Sequence, residues 1–268
     1  MDSLPDIYRS RADRLLAEFW AMHLVAAAIL GSLAALFTGL GWWVLPLTLA
    51  AACMLAAAEL AVGERQLRRA LVGPGVAHST AVDDPRLANI VDGVCLLVGV
   101  PPPTLVVART TAANATAFGR RPTHATIVVT QGLLDSLGRI ELEAVAARLL
   151  TQIRDGRTAC ATTAVTTVGL PALLLPAVWP LVKARVEREA RASDDFDDDA
   201  EAVRLTRYPP GLASGLVAMS ASGVDTGAPA VTWPLWLADP RADSAAAAAD
   251  LPDYRSDLDT RIAVLREL

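Results

Sequence analysis

"ELEAVAARLLTQI", Glu141 to Ile153, decides how the rest of the chain is read. Leu142, Val145, Ala146, Leu149 and Ile153 recur at helical spacing and form one apolar stripe. Arg148 and Gln152 lie together on the adjoining face, one turn apart. The stripe predicts a helix packed on a core, and Leu149 extends that core. Just upstream, "QGLLDSLG", Gln131 to Gly138, reads as a short helix stopped by glycine. Before it, "THATIVVT", Thr123 to Thr130, and "PPPTLVVA", Pro101 to Ala108, are rich in β-branched residues and read as strands. "DDPRLANIVDGVCLLVGV", Asp83 to Val100, places Leu87, Ile90, Val91, Val94 and Val98 at helical spacing, with Asp84 as cap and Pro85 at the first helical position.

Further toward the amino terminus the chemistry changes. Of 268 residues, 53% are hydrophobic and the mean hydropathy is +0.38, more apolar than an ordinary soluble domain. Residues 1–19 are polar and carry Arg9, Arg11 and Arg14. Residues 20–62 are almost wholly apolar and are divided at "GLGWWVLP", Gly39 to Pro46, into two runs of about 20 residues, each long enough to span a bilayer. This predicts a transmembrane hairpin with Trp42 and Trp43 at the far interface. Arg65, Arg68 and Arg69 follow the second run while the turn is uncharged, so both hairpin ends are expected in the cytoplasm. His23 and Glu59 lie near the span ends and are expected at headgroup depth. A cleaved signal peptide does not fit, because a second apolar run follows the first at once.

Residues 63–268 remain for the domain itself. Within it, segment 159–182 is apolar for about 24 residues, long enough for one crossing, but it holds Pro171, Pro176 and Pro180. It is expected to be re-entrant or surface-lying and packed on the hairpin. The acidic run Asp194 to Asp199 lacks the spacing of a calcium loop and reads as a solvated charged face. A helix, "SDLDTRIAVLREL", ends the sequence. The net charge of −5 argues against a nucleic-acid partner. Cys53, Cys95 and Cys160 are odd in number and far apart, which fits neither a disulfide framework nor a Cys-type zinc site.

Several segments in order resemble the HtpX-like family of membrane-bound zinc metallopeptidases. "NATAFGRRPTHATIVVTQGLLDSL", Asn114 to Leu137, is the most specific, followed by "ELEAVAARLLTQI", "AVRLTR" with "PGLASGL", and "WLADP" with "RIAVLREL". The amino-terminal hairpin falls in the family's order too. The resemblance implies a zincin-type α+β domain on a transmembrane hairpin. It also implies a zinc motif HExxH, in which two histidines one turn apart hold zinc and the glutamate activates water. In register, the histidine positions are Arg148 and Gln152, the glutamate position is Leu149, and the best match for the third ligand is Asp195. A permanent cation repels zinc, leucine moves no proton and glutamine is a poor ligand. His78 and His124 form no i, i+4 pair, and a structural role is expected for His124.

From this the expectation is no metal, no cofactor and no enzyme: a pseudopeptidase binding a protein or peptide partner at the membrane. The alternatives are a zinc metalloendopeptidase with displaced ligands and a structural subunit of a membrane complex. By the resemblance, the peptide-binding element is an edge strand, Ala125, Thr126, Ile127, Val128 and Val129, with Asn114 in its lead-in. The expected location is the inner membrane, multi-pass, with the domain facing the cytoplasm.

Overall fold

The computed structural model describes residues 4–39, 41–72, 84–173, 177, 179–190, 195–243 and 258–268. Helices α1 (Leu4–Thr38) and α2 (Val44–Val72) pack on each other around a short turn at Gly41–Trp43. Among the described residues these two are long and apolar enough to cross a membrane. Met22, Val25, Ile29, Leu36, Phe37, Leu47 and Met54 point outward on them, as lipid-facing side chains do. Gly31 lets the helices approach, since a Cβ there would lie 2.4 Å from Thr48 Oγ1. His23 Nε2 and Glu59 Oε2 face each other at 3.4 Å across the hairpin, so these two polar groups meet each other.

The first half of α1 serves the domain instead. Tyr8, Ala12, Leu15 and Phe19 are buried, and α1 packs on α6 (Arg157–Ala164). After α6 come a π-helical stretch (Val165–Gly169) and the single turn α7 (Leu170–Leu173), and α8 (Trp179–Ala190) packs back on α6 and the π-helical stretch. The apolar segment that starts at Ala159 is therefore folded back, with Cys160, Thr162, Ala164 and Val165 covered by protein.

Helix α3 (Pro85–Val98) starts as the sequence predicts: Asp84 Oδ1 accepts the Leu87 amide at 3.0 Å and Pro85 opens the helix. It stops at Gly99, whose φ of 77° is left-handed. The sheet has three strands, β1 (Thr104–Ala108), β2 (Ala115–Phe118) and β3 (Thr126–Thr130), in the order β1-β3-β2. Strand β3 pairs parallel with β1 and antiparallel with β2. Every residue of β3 is buried, which explains its unbroken run of β-branched side chains.

Helices α4 (Gln131–Ser136), α5 (Arg139–Arg154), α9 (Asp195–Thr206), α10 (Pro209–Ser222) and α11 (Leu258–Glu267) complete the domain. Helix α5 is its axis, packing against α3, α9, α10 and β2. The predicted stripe Leu142, Val145, Ala146, Leu149 and Ile153 is buried throughout, and so are Ala144, Ala147 and Leu150 on other faces. Helix α5 is thus a core helix rather than a half-exposed one.

Candidate functional site

The axial helix carries a charge into the core. Arg148 is 1% exposed. Its Nε donates to Asp199 Oδ1 at 2.6 Å and its Nη2 to Asp195 Oδ1 at 2.9 Å, with Asp198 Oδ2 at 3.6 Å. The three aspartates lie at i, i+3 and i+4 on α9, so helical geometry turns all of them toward α5. Two more arginines close the cluster. Arg261 of α11 grips Asp199 through Nε and Nη2, each at 2.8 Å. Arg157, at the start of α6, pairs with Asp198, which also accepts the Gln152 amide. Three guanidinium groups thus meet three carboxylates below the surface, the condition under which buried charge is tolerated. Burial by itself would raise the Asp199 carboxyl, but Arg261 and then Arg148 outweigh it and hold it below the ordinary carboxylate range.

Beside the cluster lies a cavity of about 40 Å³, lined by Ala117 of β2, Arg148 and Gln152 of α5, Asp195 and Asp198 of α9, and Pro234 to Trp236. It has room for a few water molecules. Strand β2 forms one wall, and its outer side is engaged by the chain. The Leu237 amide donates to Ala115 O at 2.8 Å, Thr116 Oγ1 donates to Leu235 O at 2.7 Å, and Thr116 bridges Trp236.

Known proteins resemble this chain over most of its length. A Dictyoglomus thermophilum protein called "Protease HtpX homolog" is 31% identical over 199 residues, which are 62% of this chain and 64% of that protein. A namesake from Acidiphilium cryptum is 31% identical over 219 residues, 70% of this chain and 75% of its own. One from Acaryochloris marina is 30% identical over 226 residues, 73% and 74% of the two chains. The chain belongs to the HtpX family. No protein-family model and no solved structure matches it. The match to the Dictyoglomus thermophilum relative spans less than two thirds of that relative's length.

Membership corrects one expectation directly. The chain was expected not to be an enzyme, yet its HtpX relatives carry the name protease, which points to a protease. The missing motif residues were too narrow a basis for that expectation, since a few side chains do not define a family.

The HtpX resemblance implies zinc, and the motif positions of this chain do not fit it. The guanidinium of Arg148 stands between α5 and α9, and Asp195, Asp198 and Asp199 are all held by arginines. A dication there would have to displace a buried cation from its carboxylates. Among the described residues no three histidine, cysteine or acidic side chains stand together as a metal site.

Arg148 reaches Asp195 and not the acidic residue of its own helix, Glu141, which lies in the first turn of α5 with its carboxylate beside Gly138. The acidic run is not a solvated face. Asp195, Asp198 and Asp199 are 7%, 3% and 2% exposed because arginines neutralise them; among the described residues of the run only Asp197 is exposed, and Asp194 lies outside them.

The edge strand is corrected too. Thr126, Ile127, Val128 and Val129 belong to the central strand, whose backbone is shared between β1 and β2, and Ala125 is buried at its start. Asn114 is fully buried, and its amide donates to Val224 O and Ala238 O at 3.0 and 2.8 Å. It holds the chain's own loops. His124 is exposed in a turn at Pro122–His124, with Nδ1 2.9 Å from Thr123 Oγ1, while His78 lies outside the described residues. Sequence reading missed Arg157, Asp198, Asp199 and Arg261. The i, i+3, i+4 spacing of the aspartates was a usable signal; nothing local marks the two arginines.

Proposed function

We propose that this chain is a membrane-anchored, polypeptide-handling member of the HtpX family, receiving extended segments of protein partners at the cytoplasmic face of the inner membrane. The observation that carries the reading is the placement of β2 beside α5, with Ala117, Arg148 and Gln152 lining one cleft. A sheet edge offers backbone donors and acceptors whatever its side chains are, so it recognises extended chain as such. The relatives' name, protease, supports polypeptide as the class of molecule handled. Orientation is supported by Arg9, Arg11 and Arg14 before the hairpin and Arg65, Arg68 and Arg69 after it, against an uncharged turn.

The test is full-length protein in lipid nanodiscs with fluorescent, unfolded β-casein. Saturable binding competed by unlabelled casein is expected. Gels of the same samples read cleavage in parallel. Absence of both saturable binding and cleavage would overturn the reading.

A further inference from the structure

We propose that residues 235–238 act as an internal strap that occupies the β2 edge in place of a polypeptide and is held shut by the buried arginine–aspartate cluster. This rests on the polypeptide-handling reading. The strap makes the contacts an incoming strand would make. Leu237 N–H donates to Ala115 O, Leu235 O accepts from Thr116 Oγ1, and Trp236 stands opposite Thr116 in an antiparallel bridge. Asn114 completes the hold by exchanging hydrogen bonds with Ala238, accepting its amide at 3.1 Å and donating to its carbonyl at 2.8 Å.

A second set of contacts ties the strap to the cluster. Arg261 Nη1 donates to Leu237 O at 3.0 Å while Nε and Nη2 of the same guanidinium hold Asp199. Asp199 in turn holds Arg148 on α5. An unbroken line of charge-assisted hydrogen bonds therefore runs from α5 through α9 and α11 to the strap, and the strap's N–H closes on β2. Leu235 and Trp236 of the strap also line the cavity, together with Gln152 and Arg157.

The strap is short where β2 is not. It bridges β2 at one residue, whereas β3 pairs with all four residues of β2. An extended polypeptide running the length of β2 would replace this bridge with a longer ladder. Opening is therefore an exchange of one strand for a better one, and apparent affinity is reduced by the fraction of molecules with the strap closed.

The experiment uses full-length protein in nanodiscs with unfolded β-casein as the probe. Hydrogen exchange over residues 230–241 is expected to speed up when casein binds, while β2 stays protected. Arg261→Met, which removes the donor to Leu237 O, is expected to tighten casein binding about tenfold by raising the open fraction. A disulfide between Thr116→Cys and Trp236→Cys, made in a Cys53→Ala background, keeps the comparison sound if Arg261→Met fails to fold. Its oxidised form is expected to bind at least about tenfold more weakly than its reduced form. Casein binding with unchanged exchange over 235–238, or equal binding by the oxidised and reduced forms, overturns the strap and leaves polypeptide handling standing. Binding by no form at all, the reduced form included, overturns the polypeptide reading and the strap with it.

Discussion

Arg148 Nε lies 2.6 Å from Asp199 Oδ1, and this contact joins the axial helix to α9 inside the core. Both side chains are almost fully buried, so neither recovers solvation when its partner is lost. Arg148→Ala is expected to destabilise the domain by about 3–5 kcal/mol, the range for breaking a buried ion pair from one side. Urea unfolding in detergent, followed by tryptophan fluorescence, measures it. A loss under about 1 kcal/mol would mean that the pair behaves like an exposed one.

Acid should unfold the protein through the same cluster. Asp199 is held below the ordinary carboxylate range by Arg261 and Arg148 against the cost of burial, and Glu201 is held down chiefly by the hydrogen bond from Arg154. Unfolded carboxylates take up protons near pH about 4, while these stay charged in the folded protein. The folded state then binds fewer protons, so their contribution is present above the unfolded pKa and is lost as pH falls toward the folded one. Thermal midpoints are expected to be level from about pH 7 to 5 and to fall below about 4. Midpoints that rise on acidification would contradict this account.

Chelation should leave stability unchanged. The elements that a motif zinc would join are joined by Arg148 to Asp195 and Asp199 instead. A structural metal contributes heavily to folding, so its removal is visible in a melt. Thermal midpoints with and without EDTA are expected to agree to within about 1 °C, a shift well below what 1 kcal/mol produces in a domain of this size. A drop of several degrees, restored by zinc, would show a metal site elsewhere in the protein.

Gly132→Ala tests the packing of α4 against the loop before β2. A Cβ at Gly132 would lie 2.0 Å from Thr111 O and 2.7 Å from Ala112 O, both backbone atoms. Backbone cannot swing aside as a side chain does, so a loss of about 1–3 kcal/mol is expected. The same denaturation experiment reads it, and an unchanged midpoint would place the loop further away than described.

Topology is open to cysteine labelling. Ser136 is exposed on the domain and Trp42 is exposed at the hairpin turn. In a Cys53→Ala background, a membrane-impermeant maleimide added outside intact cells is expected to label Trp42→Cys and to spare Ser136→Cys until the membrane is broken. The reverse pattern would invert the orientation, and labelling of both from outside would remove the span.

The sequence by itself determined many of the elements, though not β2, α9 or α10. The two apolar runs, the Asp84 cap with Pro85, the β-branched strands and the stripe on α5 are local patterns, and period and composition are enough to read them. The family was legible as well, in the order of motifs from Asn114 to the final helix, and the relatives agree. Tertiary structure decided the rest. Strand order placed Ile127 and Val128 at the centre of the sheet, because a strand buried on both faces has the same composition whether one or both of its edges are paired. It also turned an acidic run into a buried cluster. Asp199 meets Arg148 and Arg261 across separations of 51 and 62 residues, and no local pattern encodes which distant cation will neutralise a carboxylate. Asn114 likewise reads as a groove residue until its partners Val224 and Ala238, more than a hundred positions away, are brought to it. Long-range hydrogen bonds and ion pairs are settled by the packing of helices, which brings residues far apart in the chain to one place.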